Sequence, residues 1–204
     1  MSDVKPRRRD ISAALTRTAV LDSARALFVT KGFDATSIDE IARASQSSNG
    51  AVYHHFRDKQ EIFAEVFRTS QAAILQTAVA AMPTGTTAWG RVESATRAFL
   101  RSYVADRDAR VLLGQAIRVL GWDRVHQMDE EMSLPLIRAT LTEAIQNGEA
   151  TSLPVDAAAD LLFSLYCNAI LIIAARSDPD QAAADVETVI FTLLAGIRAQ
   201  PNRG

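Results

Sequence analysis

A chain of 204 residues, 48% hydrophobic and 23% charged, has enough apolar side chains to build a core and too little polar bias to stay disordered. Its one cysteine, Cys167, excludes an intrachain disulfide and a zinc site built on cysteines, and points to a reducing, cytoplasmic setting. The net charge of −2 is unevenly placed: residues 1–60 carry ten basic against seven acidic side chains, a net +3, and the remainder carries −5, which suits a head that meets phosphates on a body that avoids them.

Lys5, Arg7, Arg8 and Arg9 open the chain as a basic cluster. The charges that follow, Asp10, Arg17 and Asp22, do not fit the apolar run of a signal peptide. Helical spacing recurs from there on, and no alternating run is long enough for a sheet, so the expected class is all-α. Val20, Ala24, Leu27 and Phe28 form the inward stripe of a first helix that stops at Lys31-Gly32, where a cation meets the negative helix end and glycine takes the left-handed cap.

Ser37 and Glu40 predict a capping box on a short second helix, whose apolar face is Ile38, Ile41 and Ala42. Polar Ser45 to Ser48 interrupt the pattern before Val52 and Phe56 resume it in a third short helix. Asn49-Gly50 would be a hairpin turn between strands, but the caps on either side favour helices. Asp58 and Glu61 open a fourth helix, which carries Ile62, Phe63, Val66 and Phe67 inward and runs toward Met82. Pro83 to Thr87 then breaks the chain.

Five more helices are expected, near 88–105, 109–120, 123–147, 155–176 and 180–199, with Pro135 kinking or restarting the third of them. The apolar stretch from Leu161 to Ala175 is shorter than the roughly 20 residues a bilayer span requires, so a buried helix is expected and no membrane partner. Leu161, Leu165, Ile172, Val189, Leu193 and Ile197 are spaced for a four-helix bundle between two subunits. Trp122, His126, Met128, Met132, Phe163, Tyr166 and Cys167, with Asn168 as a polar companion, are candidate walls of a cavity for a small, mostly hydrophobic molecule.

The segment from Val20 to Phe67 resembles the DNA-binding domain of the tetracycline-repressor (TetR) family of bacterial regulators. The residues that carry the likeness are Phe28, Lys31-Gly32-Phe33, Thr36-Ser37, Ile41-Ala42, Gly50-Ala51-Val52-Tyr53-His54-His55-Phe56 and Asp58-Lys59. They cover about a quarter of the chain; beyond them the likeness is one of helix number, length and order. At the turn, Gln46 and Ser47 stand where the family usually has a glycine and an apolar residue.

The resemblance implies an N-terminal helix-turn-helix domain at 15–64, preceded by a basic arm at 1–14 and followed by an effector-binding and dimerisation domain at 65–204. A recognition helix at about Ser48 to Phe56 would enter the major groove of operator DNA. Small Ser47, Ser48, Asn49, Gly50 and Ala51 would let its backbone approach, with Asn49 and the serines reaching base edges or phosphates. Tyr53, His54 and Lys59 resemble the positions that hold the DNA backbone, while Thr36 and Ser37 offer helix-terminal amides to a further phosphate. Arg7 to Arg9 would be either a minor-groove arm or a solvated tail. The implied function is a homodimeric repressor released from its operator by a small-molecule effector.

Adjacent His54 and His55 point about 100° apart and do not converge on one metal ion. His126, Asp129 and Glu130 share a helix face, which a solvated polar face would also give. No nucleophile elbow or phosphate loop accompanies Cys167, so neither catalysis nor a cofactor or metal is expected.

Overall fold

The computed structural model describes residues 8–199, and among them the chain forms nine helices. The first, α1 (Arg8–Lys31), begins well before the stripe that announces it, so residues 8–14, expected as an arm, belong to a helix. Arg7 lies outside the described residues. Val20, Ala24 and Phe28 are fully buried along the inner face of α1. Gly32 ends the helix with φ +83°, and its N–H reaches the Phe28 carbonyl at 3.1 Å. That left-handed step is what glycine permits without a Cβ penalty.

Two short helices follow, α2 (Ile38–Ala44) and α3 (Asn49–His55). The Ser37 and Glu40 capping box of α2 is complete, and Ser48 caps α3 by accepting the Ala51 N–H at 3.1 Å. Asp58 caps α4 (Lys59–Ala80) in the same way through Glu61 N–H at 2.7 Å. After the turn at Pro83 come α5 (Ala88–Ala105), α6 (Arg107–Leu120), α7 (Trp122–Gln146), α8 (Val155–Ala175) and α9 (Pro179–Ile197).

Pro135 neither ends nor restarts α7. The proline removes the N–H that the Glu131 carbonyl would accept, yet both residues are exposed, so water can replace the lost bond. Against expectation, α8 has 21 residues and is long and apolar enough to cross a membrane by length and composition. It packs within the helical body instead, burying Ala159, Leu162, Phe163, Ala169, Ile170 and Ile173.

The core has two centres. One joins Val20, Phe28, Ile41, Val52 and Phe63 of the first four helices to Leu112, Leu113 and Ala116 of α6. The other joins α5, α7, α8 and α9 around Leu100, Leu141, Phe163, Ile173 and Ile190. The last turn is fastened by backbone, with Thr151 N–H on Ile197 O at 2.8 Å and Ala199 N–H on Glu149 O at 2.9 Å. The Glu149 carboxylate also takes the N–H groups of Ala88 and Trp89 at 3.2 and 2.7 Å, giving α5 a cap from far along the chain. These bonds hold its carboxyl below the usual range.

Candidate nucleic-acid interface and effector cavity

Phe28, Phe33 and Phe63 meet with ring centroids 5.2 to 5.7 Å apart and anchor α1 to α4. Buried Val52 and Phe56 seat α3 on this centre, and the Arg17 guanidinium lies 5.4 Å over the Phe56 ring. With its inner face so fixed, α3 turns Asn49, Gly50, Tyr53 and His54 to solvent beside exposed Ser48, and Ala51 is half-buried. Tyr53 is 56% exposed, its ring and hydroxyl open to solvent. The Asn49 amide donates to Asp39 Oδ1 at 2.5 Å, bracing α3 against α2. Ser47 is half-buried, its hydroxyl donating to the Ser45 carbonyl at 3.3 Å. Half-buried His55 has its pKa lowered by burial first, then by His54 and Arg17.

Three of the residues expected to meet phosphates also have partners within the chain. Thr36 is buried and its hydroxyl donates to the Gly32 carbonyl at 2.8 Å. Ser37 donates its N–H to the Glu40 carboxylate at 3.0 Å and accepts the Glu40 N–H on its hydroxyl oxygen at 3.2 Å, the two bonds of the capping box. Lys59 donates to the carbonyls of Phe33 and Thr36, each at 2.7 Å, and its ammonium stands 4.3 Å from the centre of the Phe33 ring. Two of its three N–H donors thus tie the turn between α1 and α2 to the start of α4. The three residues still border, with Tyr53, a shallow polar depression beside α3.

The second site is a largely apolar cavity of about 120 Å³ inside the body. Of the seven expected wall residues, Met132, Phe163, Tyr166 and Cys167 line it. Trp122, His126 and Met128 do not. Trp122 is 47% exposed and stacks on His126 at 5.7 Å, His126 packs against Phe163 at 5.0 Å, and Met128 packs against the first core centre. Asn168 is exposed and hydrogen-bonds along its own helix to Ser164 O at 2.8 Å. One face of a helix holds a third of its residues, and the run from Trp122 to Met132 winds through three turns, so only part of it reaches the cavity.

The side of the cavity away from α7 and α8 comes largely from α4 and α5, which the sequence did not single out: Gln71, Leu75 and Ala78 from the former, Thr96, Phe99 and Tyr103 from the latter. Gln71 was the legible signal, a polar residue four after Phe67 on an otherwise apolar stripe. Its side-chain oxygen accepts the Tyr103 hydroxyl, and Thr96 Oγ1 pairs with the Tyr166 hydroxyl at 2.7 Å. Asp129 also faces the cavity, and burial raises its carboxyl to about 7. Burial raises the Cys167 thiol to about 12, so it is held as an inert thiol rather than a nucleophile. His126 turns away to Glu130, 3.2 Å distant, and does not converge with Asp129 on a common ion.

Leu161, Ile172, Val189 and Leu193 on α8 and α9 are 72, 46, 56 and 52% exposed, a cluster of apolar side chains that the chain itself does not cover. Leu165 and Ile197, from the same expected seam, are half-buried against the second core.

Known proteins fit this arrangement. The pattern described as bacterial regulatory proteins, tetR family, matches residues 20–66, and that described as tetracyclin repressor-like, C-terminal domain, matches residues 89–197. The TetC protein of transposon Tn10 from Escherichia coli is 26% identical over 148 residues, 72% of this chain and 74% of TetC. The regulator AcrR of Shigella flexneri is 42% identical over 59 residues, 29% of this chain and 27% of AcrR. Among solved structures, a TetR-family regulator from Pectobacterium atrosepticum superposes with a TM-score of 0.80 at 24% identity, covering 97% of this chain and all of that one, a likeness of fold. With both domain patterns matched, the second over more than half of the chain, the protein belongs to the tetR family of bacterial regulatory proteins and is a DNA-binding transcriptional regulator.

Proposed function

We propose that this chain is a cytoplasmic, dimeric repressor that a small, mostly apolar effector releases from its operator. The observation that carries the reading is the placement of α4. Its first half supplies Ile62, Phe63 and Phe67 to the core that seats α3, and its second half supplies Gln71, Leu75 and Ala78 to the cavity wall. One continuous helix therefore belongs to both sites and crosses the expected 64/65 domain boundary unbroken. An occupant that moves the far half of α4 displaces the near half, and with it the recognition helix. Contacts from α6 add a second link: the Gln115 side chain accepts Phe33 N–H at 2.7 Å and donates to Phe28 O at 3.0 Å.

In this reading Asn49, with the small residues Ser48, Gly50 and Ala51, meets base edges, Tyr53 and His54 hold phosphates, and the exposed seam on α8 and α9 joins two copies. In vitro selection of bound duplexes from a random pool tests it. The selected duplex should bind at least about a thousandfold more tightly than random DNA at physiological salt. Asn49→Ala should erode that ratio, and Tyr53→Ala should weaken both duplexes alike and flatten the salt slope by about one unit. Failure to enrich any sequence would overturn the reading.

A further inference from the structure

An effector cavity belongs to the proposed repressor function, and the ligand class assigned to that cavity rests on the same reading. Among its lining residues there is one formal charge, Asp129, and no lysine, arginine or histidine. No hydrogen bond or ion pair from the described residues reaches the Asp129 carboxylate, whereas two other polar pairs of the cavity wall are matched, Tyr103 with Gln71 and Thr96 with Tyr166. Asp129 is half-buried, and a carboxylate at an apolar cavity wall without a partner loses part of its hydration, which a ligand of opposite charge would replace. The walls around it are rings: Phe99 lies edge-on to Tyr103 and to Tyr166 at 5.5 and 5.8 Å, and Phe163 closes the same space. Aromatic π-systems beside a lone carboxylate favour a cation twice over.

We propose that the cavity binds a small organic ammonium ion, its charge paired with Asp129 and its apolar body lying among Phe99, Tyr103, Phe163 and Tyr166. A carboxylate ligand meets the opposite response, since it would place a second negative charge beside Asp129 where little water screens them and no basic side chain compensates. A neutral ligand gains the apolar contact alone. The raised carboxyl of Asp129 agrees with this, because burial without a counter-charge shifts an acid upward and an adjacent ammonium reverses the shift.

The test compares three probes of one shape, phenethylammonium, phenethyl alcohol and phenylacetate, by titration calorimetry on the full chain at about pH 8, where the Asp129 carboxyl is mainly ionised. The ammonium should bind at least about tenfold more tightly than the alcohol, and phenylacetate most weakly. Asp129→Asn should remove the preference of ammonium over alcohol, and Asp129→Glu should retain it. Cys167→Trp, which fills the cavity, should abolish binding of both. Equal affinity for alcohol and ammonium overturns the cation while leaving the cavity standing, and so does tightest binding of phenylacetate. Binding of none of the three overturns both readings. Ammonium binding that survives Cys167→Trp lies on the surface and also overturns the proposal. Should the Asn variant fail to fold, the ammonium-to-alcohol ratio in the parent and in Asp129→Glu decides.

Discussion

Gln46 takes φ +54° in the turn between α2 and α3, the left-handed region that glycine enters freely and other residues enter at a cost. The sequence marked the place, since glutamine stands there where the resemblance leads one to expect glycine, but it did not say whether the turn would change shape or bear the strain. It keeps the shape. Gln46→Gly should therefore raise stability by about 0.5 kcal/mol, strain relief outweighing the added freedom of the unfolded chain, whereas β-branched Gln46→Val should lower it by about 1 kcal/mol or more. Chemical denaturation of both variants decides; a stabilised valine variant would contradict the account. Lys59 has two carbonyls of its own chain as partners at 2.7 Å, which residue type and spacing do not disclose. Lys59→Ala should lower stability by about 1 to 3 kcal/mol and leave the salt slope of DNA binding close to that of the parent, the opposite of a lost phosphate anchor. Asp129 yields a pH prediction. Its folded carboxyl sits near 7 and its unfolded one near the ordinary value of about 4, so the folded state binds the proton more tightly and gains stability as pH falls through that window. Asp129→Asn should accordingly stabilise the protein at about pH 8, by about 1 to 3 kcal/mol, and lose that advantage near pH 4, which thermal unfolding across pH would show.

Helix ends were legible because their signals are local. Ser37 with Glu40, Asp58 with Glu61 and the Lys31-Gly32 stop each act within four residues, and the structure uses all of them. Pro135 misleads for the complementary reason: whether a proline breaks a helix depends on what surrounds the carbonyl it leaves unpaired, and solvent exposure is a property of the fold. The cavity was half legible on the same principle, since α7 and α8 reveal apolar faces but not that α4 and α5 close the other side. At seven residues, α3 is too short to persist alone. Its inner face holds it through Val52 and Phe56, and its first turn through the Ser48 hydroxyl. Ser48→Ala should cost about 1 kcal/mol and fray the N-terminal end of α3, which in the proposed docking meets DNA, so operator affinity should fall while hydrogen exchange in α5 to α9 stays unchanged. Uniformly faster exchange would mean that the cap serves the whole fold rather than α3.

Over the whole molecule, the exposed apolar seam of α8 and α9 and the two-site helix α4 fit the scheme proposed above: a pair of heads set by the dimer, and a cavity in each body that would alter their spacing. Leu193→Glu places a charge in that seam, where Leu193 is half exposed and supports no core of its own. Sedimentation should find a folded monomer whose operator affinity drops through lost bivalency; a dimer as tight as the parent would put the interface elsewhere. The coupling itself is a linkage statement, so it is reciprocal. The most direct test takes a molecule shown by thermal-shift screening to stabilise the parent but not Cys167→Trp, and titrates it calorimetrically into the protein with and without saturating operator. The account predicts weaker ligand binding on operator by the same factor that the ligand weakens operator binding, a hundredfold change corresponding to about 2.7 kcal/mol of coupling. Equal affinity in the two titrations would contradict it.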